Sequence, residues 1–338
     1  MGLKVTKNTV LVTGGAGYIG SHACKALSAA GFLPVTYDSL VTGHEEAVQW
    51  GPLEIGDTKD KNRLTDVIGK YAPSAVMHFA AFIAGGESVA DPGKYYDNNI
   101  VGSLCLLEAM RDHGLEKMVF SSTAAVYGEP STPTIAENHP KHPINPYGFS
   151  KYAVEVMLND FAVAHNIRSV ALRYFNAAGA DPDGEIGEGH DPETHLIPIV
   201  LEAAGGRRNK VLIFGDDYAT PDGTCIRDYI HVADLADAHV KALSYMDKQP
   251  GASAFNLGNG EGFSVREIID MARRVTSRAI RTEIAPAREG DSAILVADFS
   301  LAAAKLGWKP RYTSVEDQVS HAWDWLKKDQ DRDRFGFR

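Results

Sequence analysis

Residues 10–20 read VLVTGGAGYIG, a short apolar run that is followed by glycines at positions 14, 17 and 20 and by the start of a helical pattern. The segment Thr9–Thr13 is predicted to be a buried strand. Glycines between a strand and a helix let backbone amides and the helix N-terminus approach a pyrophosphate without obstruction by a Cβ atom. The stretch therefore indicates a dinucleotide-binding turn directly after the first strand.

The rest of the amino-terminal half repeats this alternation of strand and helix. Buried strands are predicted at Leu33–Tyr37, Ala75–Phe79, Met118–Ser121 and Ser169–Arg173, with helical patterns between most of them. Such an alternation predicts an α/β fold with a doubly wound parallel sheet of the Rossmann type.

After about Asn176 the alternation becomes irregular, and the loops are rich in Gly, Pro and Asp. Helices are predicted near Leu196–Gly205, Val232–Met246, Val265–Thr276 and Ser314–Lys327. We therefore predict a Rossmann domain over residues 1–176 and a smaller α/β substrate-binding region over residues 177–338, with a segment near 230–260 returning to the first domain.

Length and composition restrict the class of protein. The chain has 338 residues, of which 44% are hydrophobic, and a formal net charge of -10, which fits a folded protein and argues against nucleic acid as a partner. The start lacks the apolar run of a signal peptide and no stretch reaches membrane-spanning length, so we expect no membrane partner and a cytoplasmic location. Cys24, Cys105 and Cys225 are scattered, which favours buried free thiols over disulfides or a zinc site.

One acidic stretch resembles a cation site. Asp181, Asp183, Glu185 and Glu188 suggest calcium, but their offsets do not match the helix-loop-helix calcium pattern. We interpret the stretch as a solvated acidic loop near the mouth of the substrate site, and we predict no metal site.

Asp38 follows the second predicted strand. A carboxylate at this point can accept hydrogen bonds from an adenosine ribose and repels a 2′-phosphate. No Arg or Lys occurs within Ser39–Gly43, so NAD is favoured over NADP as the cofactor. Asp57, which follows a further short strand expected before Ala75–Phe79, is placed to meet the adenine. The alternative for Asp38 is an ordinary turn residue before a loop.

Tyr147 and Lys151, in the segment YGFSK, lie four residues apart and would share one face of a helix. A phenol with an ordinary pKa near ~10 is a poor base at neutral pH unless adjacent positive charge stabilises its phenolate. Lys151, helped by an oxidised nicotinamide, can supply that charge, whereas desolvation alone would raise the pKa. The pair is therefore a candidate for acid–base catalysis, and the alternative is an ordinary amphipathic helix start.

The chain resembles the extended short-chain dehydrogenase/reductase family over nearly its whole length, and most closely the UDP-glucose (UDP-galactose) 4-epimerase branch of that family. The matching segments are TGGAGYIGSH (Thr13–His22), YYDNN (Tyr95–Asn99), FSSTAAVYG (Phe120–Gly128), NPYGFSK (Asn145–Lys151), LRYFNAAGA (Leu172–Ala180), IFGDDYATPDGTCIRDYIHVADLADAH (Ile213–His239) and REGD (Arg288–Asp291). A single glycine turn is common, but this ordered set of motifs is specific.

The resemblance implies a role for each matched position. Tyr147 is expected to act as acid/base on the sugar 4-hydroxyl, Lys151 to bond the nicotinamide ribose, and Thr123 to share the proton. Cofactor contacts are implied for Gly14, Gly17, Tyr18, Ile19, Asp38, Asp57, Phe79, Ala80, Asn98, Tyr147, Lys151 and Tyr174. Substrate contacts are implied for Thr123, Asn176, His195, Leu196, Phe214, Arg227, Arg288, Asp291 and Leu295.

Two of these positions also have ordinary structural interpretations. The Thr123 hydroxyl can simply satisfy the end of a strand. Arg227 can form an ion pair with Asp228 or Asp234.

The implied reaction is an NAD-dependent inversion at C4 of UDP-glucose or UDP-galactose through a transient 4-keto sugar, an isomerase reaction of galactose metabolism. Related dehydratases and decarboxylases carry a carboxylate next to the hydroxyl residue, but here Thr123 is followed by Ala124 and Ala125. The alternative assignments are a UDP-xylose/UDP-arabinose 4-epimerase, a UDP-N-acetylhexosamine 4-epimerase and a net dehydrogenase. The last alternative is a non-catalytic NAD-binding regulator.

Three positions depart from the pattern of many relatives. Ile83 replaces a lysine near the cofactor, which predicts weaker cofactor retention, and His195 replaces a frequent asparagine beside the sugar diphosphate. Leu295 has an intermediate size that does not decide whether a 2-acetamido group fits. The resemblance also implies a homodimer that packs through helices Ser88–His113 and Tyr147–His165.

Overall fold

The computed structural model describes residues 8–288 and 291–334, with side chains described as far as residue 328. Its strands are β1 (Thr9–Thr13), β2 (Leu33–Asp38), β3 (Leu53–Ile55), β4 (Ala75–His78), β5 (Lys117–Thr123), β6 (Thr134–Ile135), β7 (Arg168–Tyr174), β8 (Asn176–Ala178), β9 (Val211–Phe214), β10 (Ile226–Arg227), β11 (Tyr229–His231), β12 (Ala252–Leu257), β13 (Phe263–Ser264), β14 (Thr282–Ala285) and β15 (Ile294–Ala297).

The α-helices in the same part of the chain are α1 (Tyr18–Ala29), α2 (Lys61–Tyr71), α3 (Gly85–Ala90), α4 (Pro92–Tyr95), α5 (Gly102–Asp112), α6 (Pro146–His165), α7 (Leu196–Gly205), α8 (Val232–Met246), α9 (Val265–Thr276), α10 (Ser300–Leu306) and α11 (Val315–Arg334). A π-helical turn over Tyr96–Val101 joins α4 to α5, and short 3-10 turns lie at Glu45–Ala47 and Ala124–Tyr127.

Seven parallel strands form the large sheet, in the order β12-β7-β5-β4-β1-β2-β3. This confirms the predicted doubly wound parallel sheet. The chain winds outward in both directions from β1 and β4, so the connections that leave these strands separate at their carboxyl ends. In open parallel sheets this switch point is where ligands bind.

Side chains of β1 show why helices cover both faces of this sheet. All five residues of the strand are buried, and successive side chains point to opposite faces. Val10 and Val12 belong to the apolar core that contains residues of α1 and α8, whereas Leu11 belongs to the core that contains residues of α2, α5 and α6. A strand that is buried on both faces is apolar without alternation, as its sequence is.

The carboxyl-terminal half contributes both to this sheet and to a smaller region. β12 pairs with β7, which places residues 252–257 at the edge of the large sheet. The smaller region contains a four-stranded sheet, in the order β13-β10-β15-β6, and two strand pairs, β11-β8 and β14-β9. The core of this region includes residues of α7, α9 and α11. None of the helices within the described ranges is both long enough and apolar enough to cross a membrane.

One predicted helix is interrupted in the structure. The segment Ser88–His113 contains α3, α4, the π-helical turn and α5 instead of a single helix. The break falls at Asp91, whose carboxylate accepts a hydrogen bond from the Lys94 amide at 3.2 Å, and proline follows at the first position of α4. An N-cap followed by proline starts a new helix, because proline has no amide hydrogen to continue the previous one.

Candidate active site

The predicted catalytic residues come together at the carboxyl edge of the large sheet. Thr123 and Tyr174 end β5 and β7 and are paired with each other in the strand register. Tyr147 lies in the first turn of α6, and Lys151 lies one turn further along it. Thr123 and Tyr174, which are 51 residues apart in the chain, therefore lie side by side at the same edge of the sheet.

Local sequence signals define the start of α6, just before Tyr147. Asn145 accepts a hydrogen bond from the Gly148 amide at 2.8 Å, and Pro146 occupies the first helical position. The Tyr147 amide donates to the buried Ser88 hydroxyl at 3.1 Å. Ser88 was not predicted as a site residue, because a serine in a helical pattern has no distinguishing signal.

Lys151 is fixed inside the protein. Its side chain is buried, its Nζ donates to the Ser121 carbonyl at 2.9 Å, and it lies 5.0 Å from the centre of the Phe120 ring. Burial lowers the pKa of Lys151 to about 7. The hydrogen bond to Ser121 near the end of β5 therefore fixes the position of the Lys151 side chain. This contact was not predicted from the sequence.

Tyr147 is not activated by the protein alone. Burial raises the pKa of the Tyr147 phenol, and a hydrogen bond with Thr123 partly offsets that effect. The Lys151 ammonium is engaged by the Ser121 carbonyl. A phenolate at this position therefore needs positive charge beyond what the described side chains provide.

The hydroxyls around the phenol are also hydrogen-bonded to the protein. Thr123 accepts a hydrogen bond from the Ala125 amide at 3.1 Å, so this hydroxyl satisfies the strand end as well as contacting Tyr147. The Tyr174 hydroxyl shares a short hydrogen bond with Ser121. Because Tyr174 bonds Ser121 and Tyr147 bonds Thr123, Tyr147 is the tyrosine whose phenol meets the threonine.

The glycine turn lies at the same edge of the sheet. Gly14 has a φ of +74°, and a Cβ there would lie 2.5 Å from the Ala80 amide nitrogen, which brings two of the predicted cofactor residues side by side. A Cβ on Gly20 would lie 2.1 Å from the Gly14 carbonyl oxygen. Gly17 caps α1 without a side-chain hydrogen bond, so the first-turn amides at Tyr18 and Ile19 have no side-chain acceptor.

Asp38 is held at this turn. Its carboxylate accepts hydrogen bonds from the Ala16 amide at 3.0 Å and the Leu40 amide at 2.9 Å, and a Cβ on Gly43 would lie 2.9 Å from it. The residue therefore acts as a turn residue and also presents a fixed carboxylate beside the glycine turn. A carboxylate has about four acceptor positions, so two remain for other donors.

The remaining predicted cofactor residues occupy the adjoining loops. The amides of Phe79 and Ala80 both donate to the Thr13 carbonyl, at 2.8 and 3.1 Å. Asp57 follows β3, and Asn98 in the π-helical turn donates to the Asn99 side chain at 2.9 Å. Ile83 is 41% exposed.

The side chain of Tyr18 is engaged within the protein. Its hydroxyl donates to the Gly179 carbonyl at 2.6 Å, and the ring is buried. The side chain thus points to the loop after β8, and only the backbone of Tyr18 is left to face the glycine turn.

A second group of predicted residues forms in the smaller region. Arg227 pairs with Asp291 at 3.0 Å and donates to the Ser292 carbonyl at 2.7 Å. Leu295 is the register partner of Arg227. The Asp291 amide donates to the Arg288 carbonyl at 3.2 Å, so both residues of the REGD motif belong to one turn. Glu289 and Gly290, which complete the motif, lie outside the described residues.

The alternative partners considered for Arg227 are engaged elsewhere. Asp228 accepts a hydrogen bond from the Asn259 amide at 2.8 Å, and Asp234 accepts one from the Tyr312 amide at 2.9 Å. The ion pair of Arg227 is therefore with Asp291, a residue that the sequence analysis also assigned to the substrate site.

The other predicted substrate residues surround this group. Arg288 stacks over the Phe214 ring, with its guanidinium carbon 3.9 Å from the ring centre. Asn176 donates to the Asp228 carbonyl at 2.9 Å. His195 is the N-cap residue of α7, and Leu196 is the first residue of that helix.

His195 has buried carboxylate partners that the sequence analysis missed. Its Nδ1 lies 2.8 Å from Glu188 and 2.9 Å from Glu193. Burial alone would lower the pKa of His195, but the hydrogen bonds to both carboxylates raise it to about 10. The spacing E-x-H-x-x-E-x-H over residues 188–195 is the signal that would have pointed to these partners.

The acidic loop forms ion pairs that the sequence did not predict. Asp181, Asp183 and Glu185 all form ion pairs with Lys25 of α1, at 2.8, 2.8 and 2.7 Å. Glu188 is separate from them and contacts the two histidines. Asp183 and Glu185 are 76% and 49% exposed, so this part of the loop is solvated as well as paired with Lys25, which lies far away in the sequence.

Comparison with known proteins adds independent information. The profile of the family described as "NAD dependent epimerase/dehydratase family" matches residues 10–258. The UDP-glucose 4-epimerase of Rhizobium meliloti (strain 1021) is 51% identical over 318 residues, which cover 94% of this chain and 97% of that protein. The crystal structure of UDP-glucose 4-epimerase from Brucella ovis in complex with NAD superposes with a TM-score of 0.92 at 52% identity, covering 94% of this chain and 98% of that chain.

A further solved structure is that of a UDP-glucose-4-epimerase from Stenotrophomonas maltophila with bound NAD and formylated UDP-arabinopyranose. It is 40% identical, has a TM-score of 0.92 and covers 96% of this chain and 99% of that chain. The similarity to these proteins therefore extends over both the large sheet and the smaller region.

Proposed function

The chain belongs to the NAD-dependent epimerase/dehydratase family, and on this premise we propose that it is an isomerase that uses NAD to invert C4 of UDP-glucose and UDP-galactose. The observation that carries the proposal is the meeting of Tyr147, Lys151 and Thr123 with the glycine turn at one edge of the sheet, in a chain about half identical to UDP-glucose 4-epimerases over nearly its full length.

The dinucleotide fits the residues that are present. The turn at Gly14 and Gly17 offers backbone amides to a pyrophosphate, and Asp38 offers carboxylate oxygens to a ribose. When bound, NAD supplies a hydride acceptor for C4 and a positive charge near the phenol. That charge is the one that Tyr147 lacks among the described side chains.

Tyr147 is the acid/base of the proposed reaction. It takes the proton of the sugar 4-hydroxyl as the C4 hydrogen leaves, and it returns a proton when the alcohol forms again. Thr123, already hydrogen-bonded to Tyr147, shares this proton with the 4-oxygen. Lys151, anchored to the Ser121 carbonyl, is positioned to bind the nicotinamide ribose. The product of the first half-reaction is a 4-keto sugar.

Inversion requires that the ketone turns over while the nucleotide stays in place. We propose that Arg227 and Arg288 hold the diphosphate and that Asp291 holds the uridine ribose, with Asn176, His195, Leu196, Phe214 and Leu295 lining the rest of the site. Guanidinium groups bind phosphate oxygens in pairs of hydrogen bonds, which act locally even in a protein with net charge -10.

The test is direct. Purified protein is incubated separately with UDP-galactose, UDP-N-acetylgalactosamine and UDP-arabinose, and the C4 epimers are quantified. We expect UDP-galactose to be inverted fastest, without accumulation of free NADH. The pentose remains the second candidate because a relative that is 40% identical was solved with a UDP-arabinopyranose derivative. Inversion of none of the three, or steady release of NADH, would overturn the proposal.

We also propose that the protein is a homodimer in the cytoplasm. Apolar side chains are exposed on the helices α3 to α6 and the turn between them, including Val89, Val101, Leu104, Phe149 and Val156. A group of exposed apolar residues is typical of a surface that a second chain covers. The three free cysteines, two of them buried, suit a reducing compartment.

A further inference from the structure

Four potential metal ligands converge in the loop before α7. Glu188, His190, Glu193 and His195 each direct one ligand atom into a common region, and all four atoms lie within 4.8 Å of one another. Two imidazoles and two carboxylates are a donor set that zinc and other first-row divalent ions bind. This cluster is separate from the acidic residues that pair with Lys25.

The distances between these atoms match a four-coordinate ion. A tetrahedral zinc with ligands about 2.1 Å away keeps its ligand atoms about 3.4 Å apart. The two histidine Nδ1 atoms lie 3.0 and 2.8 Å from the same oxygen of Glu188. His195 lies 2.9 Å from one carboxylate oxygen of Glu193, and His190 lies 4.0 Å from the other. These separations lie on both sides of the tetrahedral value, so small side-chain rotations suffice.

The burial of two carboxylates favours the binding of a cation by this cluster. The side chains of Glu188 and Glu193 are only 8% and 5% exposed, so two carboxylates are largely removed from water. Buried carboxylates need compensating positive charge. One divalent ion bound by two neutral imidazoles supplies the same charge as two protonated histidines, and it holds all four groups in one geometry.

The surrounding contacts pre-arrange the ligands. The amides of Thr194 and His195 both donate to Glu193 at 2.7 Å. The Glu188 carbonyl accepts a hydrogen bond from the Trp325 indole at 2.9 Å, and the Gly189 carbonyl lies 2.7 Å from a ring nitrogen of His44. Hydrogen bonds of this kind orient metal ligands and strengthen metal binding.

We propose that Glu188, His190, Glu193 and His195 form a binding site for one divalent transition-metal ion, with Zn²⁺ as its best occupant. The ion is structural. The Tyr18 ring, at the start of α1, packs edge-on against His190 with 6.3 Å between ring centres, and His195 caps α7. The site therefore ties the glycine turn to the start of α7 through one short loop.

The experiment measures metal and not activity, so its failure would leave the proposed reaction untouched. The full-length protein with its bound cofactor is stripped with a chelator, dialysed, titrated with Zn²⁺ by calorimetry and analysed for metal content. We expect one Zn²⁺ per chain and a melting temperature that rises with Zn²⁺ concentration. Co²⁺ should give the visible absorption of a four-coordinate site.

Variants identify the ligands. Glu188→Gln and His190→Gln should weaken Zn²⁺ binding about tenfold or more and remove the rise in melting temperature. Asp183→Asn is the matched control, because it changes one carboxylate of the neighbouring cluster and should bind Zn²⁺ normally. His190→Gln is the mild variant, since that side chain is 26% exposed and its loss should not prevent folding. A wild-type protein without stoichiometric Zn²⁺, or equal binding by His190→Gln, would refute the site.

Discussion

At the scale of single residues, the chemistry depends on a tyrosine that the protein does not activate by itself. Burial raises the pKa of Tyr147, and the Thr123 hydrogen bond only partly offsets the increase. Lys151 bonds the end of β5. Positive charge from a bound cofactor would therefore favour the phenolate.

Tyr147→Phe should reduce kcat by about 10²–10⁴-fold, because it removes the group that exchanges a proton with the 4-hydroxyl. Binding of UDP, measured by calorimetry, should be unchanged, since the phenol is not part of the diphosphate site. Tyr152→Phe, one turn further along α6 and packed against the small apolar cluster around Val126, is the control with near-normal kcat. Near-normal turnover by Tyr147→Phe would exclude this tyrosine as the base.

Lys151→Met should stabilise the cofactor-free protein at pH 6. The pKa of Lys151 is about 7 when folded and about 10.4 when unfolded. Between these values the unfolded chain binds the extra proton, so stability rises with pH, and below pH 7 the cost of burying the ammonium is complete. Its removal should gain at most on the order of 4 kcal/mol, reduced by the lost hydrogen bond to Ser121.

Urea unfolding at pH 6 and pH 9 measures this effect. The advantage of Lys151→Met should shrink as the pH rises, while epimerase activity is lost. The exposed Lys305→Met provides the comparison and should show neither change. A variant that is less stable than the wild type at pH 6 would contradict the assigned cost of burial.

At the scale of secondary structure, α6 carries the proposed catalytic residues Tyr147 and Lys151, and its first turn fixes where Tyr147 lies. Asn145 and Pro146 start the helix, and the Ser88 hydroxyl accepts from the Tyr147 amide. The predicted helix starts at Tyr147, one residue after the observed start at Pro146, where the cap and the proline are local signals of a helix start. The contact with Ser88 is not local, since 59 residues separate the two positions.

Asn145→Ala should lower the free energy of unfolding by about 1 kcal/mol and should also lower kcat, because the first turn of α6 loses its cap. Ser314→Ala removes a hydrogen bond to the Glu316 amide at the start of α11, which is also a 20-residue helix. It should lower stability by a similar amount without affecting kcat. Equal kcat for the two variants would show that the Asn145 cap does not position Tyr147.

At the scale of the whole molecule, the core contains histidines that stay neutral. Burial lowers the pKa of His78 and His231 to about 3 and that of His239 to about 4. His78 lies between the Thr13 and Ser103 hydroxyls, at 2.6 and 2.8 Å, so it links β1, β4 and α5. These rings therefore take up protons mainly when the fold opens, so acid favours the unfolded chain.

Stability should fall as the pH decreases from about 6.5 to about 4, because the unfolded histidines bind protons that the folded ones do not. Each such histidine contributes about 1.4 kcal/mol per pH unit in this window. Asp228, whose pKa burial raises to about 6, opposes the trend, as do Glu137 and Asp234, whose pKa values burial also raises.

His239→Leu should make the pH dependence shallower by one histidine, as measured by urea unfolding between pH 6.5 and 4.5. His113→Gln alters an exposed histidine and should leave the slope unchanged. An unaltered slope in His239→Leu would mean that this ring is already charged in the folded protein.

The proposed dimer gives the second prediction at this scale. Leu104→Glu should convert the dimer to a monomer in sedimentation experiments, because it places a charge in the apolar surface on α5. Leu301→Glu is matched in exposure, since both leucines are 37% exposed, and should leave the dimer intact. A wild-type protein that sediments as a monomer would refute the dimer.

The amino-acid sequence by itself determined the parallel sheet, the glycine turn and the preference for NAD. These follow from signals within a few residues, such as the apolar run of β1 and the glycine spacing. The observed bounds of α7, α8 and α9 agree with their predicted bounds for the same reason. The roles proposed for Tyr147 and Lys151 came from the resemblance of the whole chain to a family, because their offset alone is common.

Only the tertiary structure decided which distant side chains meet. Lys25 forms ion pairs with Asp181, Asp183 and Glu185, which lie in another part of the chain. Glu188 instead contacts the histidines of its own loop. The ion pair of Arg227 with Asp291 likewise spans 64 residues. Periodicity and spacing describe neighbours along the chain, whereas charge pairing and burial depend on neighbours in space, which the folded packing alone creates.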